Sequence, residues 1–291
     1  MSGIASSELI LNADGSIYHL KLKPEHIADN VLLVGDPGRV ERISAHFDAV
    51  EAKIANREFV THVGVYRGMR ITVIGTGIGT DNIDIVLNEL DALVNVDLAT
   101  RSIKPNHTSL NLVRMGTSGA LQADIPVDSM VISKRAIGLD GVLHFYRASH
   151  VLNSPLSHAF DAHMAWPEAM GSTYAVDASE SLVERLRGDA TLEGITLTAN
   201  GFYGPQGRVI RGELAVADVN ERIASFDYHG ERVTNYEMET SAMYGLGQLL
   251  GHQTATVCAI IANRPAGQYS KDHHSYEAVM IEKVLTRLTA S

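Results

Sequence analysis

The 291-residue chain has a single cysteine, Cys258, which excludes a disulfide framework and a multi-cysteine metal site. It lies in the apolar run TATVCAIIANR and reads as a small buried hydrophobe. No apolar run approaches the roughly 20 residues that a membrane helix needs, so no membrane partner is expected. The first residues, MSGIASSELILNADGS, lack a basic segment followed by a long apolar stretch. A secretory signal is therefore not expected, and a cytoplasmic location is. Runs of lysine and arginine are missing as well. The formal charge is −10, with acidic and basic residues mixed along the chain, which argues against a nucleic-acid surface. An acidic protein must bind any anion locally, with a few aimed donors. There is no Pro/Ser/Gly-rich linker, charge block or internal repeat.

What is present is an ordinary globular composition, 45% hydrophobic and 20% charged, enough for a sizeable core. Residues 1–18 read as a polar N-terminal arm and residues 19–291 as one domain. NVLLVG, ITVIGTG, SLNLVRMG, SMVISKR, TLTANG and TVCAIIANR read as buried strands. DNIDIVLNELDALV places Ile83, Val86, Leu87, Leu90 and Leu93 at helical spacing. METSAMYGLGQLLG does the same with Met238, Ala242, Leu246, Leu249 and Leu250, and Gly251 reads as its stop. YEAVMIEKVLTRL reads as a closing helix, and His273 and His274 just before it as a solvated loop. Strands alternating with helices predict an α/β fold with a mixed, twisted sheet covered on both faces. In such sheets ligands bind at the carboxyl ends of strands.

The residues after each strand carry the chemistry. NVLLVG ends in Gly35-Asp36-Pro37-Gly38-Arg39, followed by a short helical pattern. Gly35 permits close backbone approach, Pro37 suits a first helical turn, and Arg39 offers a forked donor to an anion. A tight turn with a surface arginine is the alternative. Arg114 and the small residues Gly116-Thr117-Ser118-Gly119 suit an anion or a sugar hydroxyl, or else a capped turn. GTGIGTDN has glycines at 75, 77 and 79 but Thr80 where a dinucleotide fingerprint needs glycine, so a nicotinamide or flavin cofactor is not expected. Glu237 and Glu239, two apart, are acceptor-only carboxylates that can grip vicinal hydroxyls, cap a helix or hold a divalent metal. No His or Asp completes a ligand set nearby, which makes the metal the weaker reading. In GFYGPQGRVIRG, Phe202 can stack on a ring, while Gln206 and Arg208 suit an imide face; a hairpin with a polar tip fits as well.

Together YHL (18–20), GDPGRV (35–40), NREF (56–59), GTGIG (75–79), RMGTSGA (114–120), GFYGPQGR (201–208), NYEMET (235–240) and IIANR (260–264) resemble the nucleoside phosphorylase family, which includes uridine and purine nucleoside phosphorylases. The resemblance runs from about His19 to the final helix and implies a three-layer sandwich. Within the family, Phe-Tyr-x-x-Gln-x-Arg (202–208) is similar to the uridine-specific pattern. Purine-specific members carry a Ser-Asp pair where this chain has Ala262-Asn263-Arg264. The resemblance assigns inorganic phosphate to Gly35, Arg39, Arg57, Arg114 and Thr117. It assigns ribose to His19, Glu237, Met238 and Glu239, and the base to Phe202, Gln206 and Arg208. It implies no organic cofactor, with phosphate as co-substrate. A monovalent cation binds at a subunit interface in some relatives, with Glu58 as a candidate ligand. His19 and Arg57 are expected to reach a neighbouring subunit, so the active unit is a homodimer at least, with a hexamer as the family's larger assembly.

Overall fold

The run NVLLV forms strand β1 (Asn30–Val34), and all five of its residues are buried. A strand covered on both faces needs apolar side chains on both. Val31 and Leu33 enter one core cluster, and Leu32 and Val34 enter another. The same alternation organises the whole computed structural model, which describes residues 3–189 and 191–290.

After β1 come helix α1 (Pro37–Ser44), β2 (Ala49–Asn56), β3 (Phe59–Tyr66), β4 (Met69–Gly75) and α2 (Thr80–Asn95). The middle of the chain forms β5 (Val96–Asp97), β6 (Ser102–Ile103), β7 (Asn111–Ala120), β8 (Met130–Gly138), α3 (Ser154–Met164), β9 (Tyr174–Asp177) and α4 (Glu180–Leu186). The last part forms β10 (Thr191–Thr198), α5 (Val219–Ser225), β11 (Asp227–Tyr228), β12 (Glu231–Glu237), α6 (Thr240–Leu249), β13 (Gln253–Asn263), β14 (Gln268–Tyr269) and α7 (His273–Thr289).

One mixed sheet runs in the order β11-β12-β10-β8-β13-β7-β1-β4-β3-β2, with β14 added to β13 and β9 to β8. Strands β4, β1, β7 and β13 run parallel to one another, and β8, β10 and β12 run the opposite way. Helices α2 and α6 pack on one face, α1, α4 and α7 on the other. This is the expected α/β architecture. Strand order alone does not reveal one feature: β12 also pairs with β7, Asn235 with Ala120 and Tyr236 with Gly119. Five strands (β7, β13, β8, β10 and β12) therefore close into a ring. Register shifts at Ile260/Ala262 in β13 and Gly194/Ile195 in β10 supply the extra bend. Helices α3 and α5 share a third core cluster beside it.

Local signals explain the helix ends that matter. Asp36 caps α1 by accepting the Gly38 N–H at 2.9 Å, with Pro37 at the first helical position. Gly251, at φ +81°, follows the end of α6. His273 and His274 lie in the first turn of α7 rather than in a loop, because Asp272 accepts the Ser275 N–H at 3.1 Å and starts the helix earlier than apolar spacing suggests. Leu9 and Ile17, from the N-terminal stretch, are buried in the first core cluster. No helix of the described residues is long and apolar enough to cross a membrane.

Candidate active site

A cleft of about 780 Å³ opens where the carboxyl ends of both strand sets converge. The closure of β12 onto β7 makes this possible, since the two sets would otherwise end on opposite edges of the sheet. Gly35, Arg39, Arg114, Thr117, Phe202, Gln206, Arg208, Glu237, Met238 and Glu239 all line it. Ten of the twelve residues read from the sequence as a site are thus brought together within one chain.

Arg39 sits in the first turn of α1 and is 5% exposed. It is no surface arginine: it donates to the Met115 carbonyl at 3.1 Å and to both oxygens of Glu277 at 3.0 and 3.2 Å. Arg114, within β7, is 4% exposed. It pairs with Glu239, and its Nη1 lies 3.5 Å from Glu237. Its Nε has no hydrogen-bond partner among the described residues. Burial disfavours the Arg114 charge, but the two carboxylates more than offset this and hold the guanidinium above its ordinary pKa.

The two glutamates do different jobs. Glu237 ends β12 and accepts from Thr198 Oγ1 at 2.6 Å and from the N–H groups of Glu239 and Thr240 at 3.0 Å. It caps the start of α6. Glu239 accepts the Gly79 N–H at 2.8 Å and the Arg114 guanidinium. Burial raises its carboxyl pKa, Arg114 opposes the rise and Glu237 adds to it. The GTGIG turn therefore has a structural purpose: Gly77 and Gly79 adopt φ +73° and +100°, which presents an N–H to Glu239.

Gly116 has no room for a side chain, because a Cβ there would lie 1.9 Å from Arg114 Nη1. The Arg114 side chain folds back across it. We expect Gly116→Ala to displace the guanidinium and cut turnover by about a hundredfold, the scale reached by misplacements near 1 Å. Steady-state kinetics beside a melting curve checks this; a folded variant with normal turnover would contradict it.

The loop after β10 brings a second set of donors. Arg208 stacks over Phe202, its guanidinium carbon 3.8 Å from the ring centroid, and donates to the Phe202 carbonyl at 2.6 Å and to Gln206 Oε1. Arg264 donates to the Gln206 carbonyl. Among the described residues neither arginine meets a carboxylate. Burial, then the charge of Arg264, pushes Arg208 down to about 10, so it stays protonated near neutrality yet is poorly neutralised. Tyr236 also lines the cleft and is 3% exposed, with a hydroxyl that has no partner among the described residues. A smaller cavity of about 390 Å³ shares Gly204 and Pro205 of this loop but none of these donors.

His19 and Arg57 lie outside this cleft. His19 Nδ1 is 2.7 Å from Glu89, and Arg57 donates to the Tyr18 hydroxyl at 3.1 Å. Glu58, next to Arg57, lines the cleft. Three residues were not read from the sequence as site residues. Tyr236 and Arg264 stand inside the quoted motifs NYEMET and IIANR, so the signal was adjacent. Glu277 had none. Cys258 is buried as its surroundings imply, and burial pushes its thiol up to about 12.

Two groupings of metal-capable side chains lie near or beyond the cleft. In Asp91–His107–His252, the His252 Nδ1 accepts the Leu110 N–H at 3.2 Å. With Nδ1 accepting, the neutral ring carries its proton on Nε2, 3.4 Å from Asp91, and so offers a metal no lone pair there. In His273–His274–Glu277 the carboxylate is already taken by Arg39 and Arg42.

Buried arginines beside paired carboxylates, facing a loop of ring and amide donors, have the chemistry to hold a small anion together with a polyhydroxylated, flat-ringed molecule. The family model of the Phosphorylase superfamily matches residues 29–290, and the chain belongs to that family. It is similar to the uridine phosphorylase of Thermococcus kodakarensis, with 30% identity over 98% of this chain and 91% of that one. It is also similar to the DeoD-type purine nucleoside phosphorylase of Oceanobacillus iheyensis, with 28% identity over 83% of this chain and 85% of that one. A crystal structure of a Trypanosoma brucei nucleoside phosphorylase, described as showing uridine phosphorylase activity, superposes with a TM-score of 0.87 at 29% identity, covering 97% of this chain and 100% of that one.

Proposed function

We propose that this chain is a uridine phosphorylase, a pentosyltransferase that converts uridine and inorganic phosphate to uracil and ribose 1-phosphate. The observation that carries this reading is the base loop. Gln206 and Arg208, backed by Arg264, face the cleft with no carboxylate among the described residues to neutralise the two cations. An imide base that leaves as an anion matches that arrangement. A purine leaving by protonation at N7 needs an acid, and Asn263 is not one. Its amide is consumed by the Gln122 and Ile125 carbonyls and the Ala266 N–H.

Three tasks divide among the residues. Arg39, Arg114, Thr117 and the Gly35 backbone hold phosphate beneath C1′, chiefly by position and charge. Glu239 and Met238 hold the ribose hydroxyls, with Glu237 fixing the start of α6. A phosphate oxygen forms its bond to C1′ as the C1′–N1 bond breaks, with inversion, and the electron pair departs onto uracil. Gln206 and Arg208 stabilise that charge as it develops, so they bind the transition state better than the substrate. No acid, covalent nucleophile or organic cofactor takes part.

In this reading His19 and Arg57 serve the partner subunit's cleft, His19 at the ribose 5′-hydroxyl and Arg57 at phosphate, so the active unit is a homodimer at least. The setting it implies is cytoplasmic pyrimidine salvage. Two measurements test it. The ratio of kcat/KM for uridine over inosine should strongly favour uridine; equal use of inosine would overturn the base assignment. Mixing the inactive variants His19→Ala and Arg114→Met, with subunit exchange, should restore part of the activity. No recovery would place His19 outside the partner's cleft.

A further inference from the structure

The phosphate arginine Arg39 is held by a residue at the far end of the chain. Glu277, on α7, is 2% exposed. Its Oε1 accepts from Arg39 Nη2 at 3.0 Å and its Oε2 from Arg39 Nε at 3.2 Å. The Met115 carbonyl takes a third N–H at 3.1 Å. Three of the five N–H groups of a guanidinium are thereby fixed and the plane is set. The remaining two are free for an anion, and Arg39 lines the cleft.

A carboxylate so close to a phosphate site would ordinarily repel the ligand. Here Glu277 also accepts from Arg42 at 3.1 Å, and Arg42 reaches Asp36, the cap of α1, at 2.7 Å. Two guanidinium charges face the buried Glu277 carboxylate, and with Asp36 counted the four groups are formally neutral, so Glu277 is compensated rather than a free negative charge behind Arg39. Nor is the pair needed to dock α7. Met280, Ile281, Val284, Leu285 and Leu288 already bury that helix in the core, and a buried ion pair is by itself a weak source of stability.

We propose that Glu277 is the positioning residue of the phosphate site: it presets the Arg39 guanidinium and thereby sets phosphate affinity. This rests on the phosphorylase reading above. The test compares the wild-type enzyme with Glu277→Gln, which keeps the shape but offers only one acceptor and an N–H donor against the arginine. We expect the KM for phosphate to rise by about tenfold or more, since small displacements of a positioned group are costly. The KM for uridine and kcat at saturating phosphate should stay close to wild type. On an Arg39→Ala background the same substitution should add almost nothing. Inorganic phosphate binding without nucleoside, read by calorimetry, gives the comparison independently of turnover. A wild-type enzyme that binds phosphate but does not cleave uridine would thus sink the functional reading while still testing Glu277. If Glu277→Gln does not fold, Glu277→Asp, which keeps the charge but retracts it by one methylene, reads the same effect. Unchanged phosphate affinity in either folded variant would overturn the proposal. So would an equal loss on the Arg39→Ala background, or a parallel rise in both KM values.

Discussion

Arg208→Ala is expected to lower kcat/KM for uridine by about a hundredfold or more, the ~2.7–4 kcal/mol that removal of one donor to a developing anion typically costs. The side chain touches only its own loop, through the Phe202 ring and carbonyl and Gln206 Oε1. Its removal therefore leaves no core cavity and no buried carboxylate, and the melting temperature should hold. The loss should appear in kcat as well as in kcat/KM, because in the proposed mechanism the charge it meets exists only as the C1′–N1 bond breaks. A folded variant with near-normal turnover would remove Arg208 from the mechanism and leave the uncompensated charge of the base loop without a purpose.

Arg114→Met is expected to cost both activity and stability. Arg114 is the cation between Glu239 and Glu237, all three at most 4% exposed. Deleting one partner of a buried ion pair leaves an uncompensated charge, which typically destabilises by ~3–5 kcal/mol. Its pH dependence identifies the cause. Burial and Glu237 already raise the Glu239 carboxyl pKa, and Arg114 is what opposes them. Without Arg114 the folded-state pKa should climb further above its unfolded value. The folded state then binds more protons than the unfolded one, so the variant's stability should increase as pH falls from neutrality towards the ordinary carboxylate range. Denaturant unfolding across that range measures it. A variant as stable as wild type, or one whose stability falls on acidification, would show that the pair is not held as described.

Much of this architecture was readable because the central strands are apolar on both faces. NVLLVG, ITVIGTG and the other runs became β1, β4, β7, β8, β10 and β13. Strand β12, ERVTNYE, gives no such signal, since its buried Thr234 and Asn235 are satisfied by cross-strand hydrogen bonds to Ile195, Thr196 and Ser118 rather than by apolar packing. Yet β12 closes the ring and delivers the two glutamates. The cleft residues were legible because they follow strands and stand in compact motifs. Glu277 was not, because 238 positions separate it from Arg39 and only the docking of α7 joins them. Tyr236 fell between these cases: it stands beside Glu237, but only the structure leaves its hydroxyl buried and unpartnered in the cleft.

The most direct test is uracil release from uridine, measured with and without inorganic phosphate. Release that requires phosphate, with ribose 1-phosphate formed in equal amount, is the predicted result. Release without phosphate, yielding free ribose, would make the enzyme a hydrolase, and the buried arginines Arg39 and Arg114 would need another ligand.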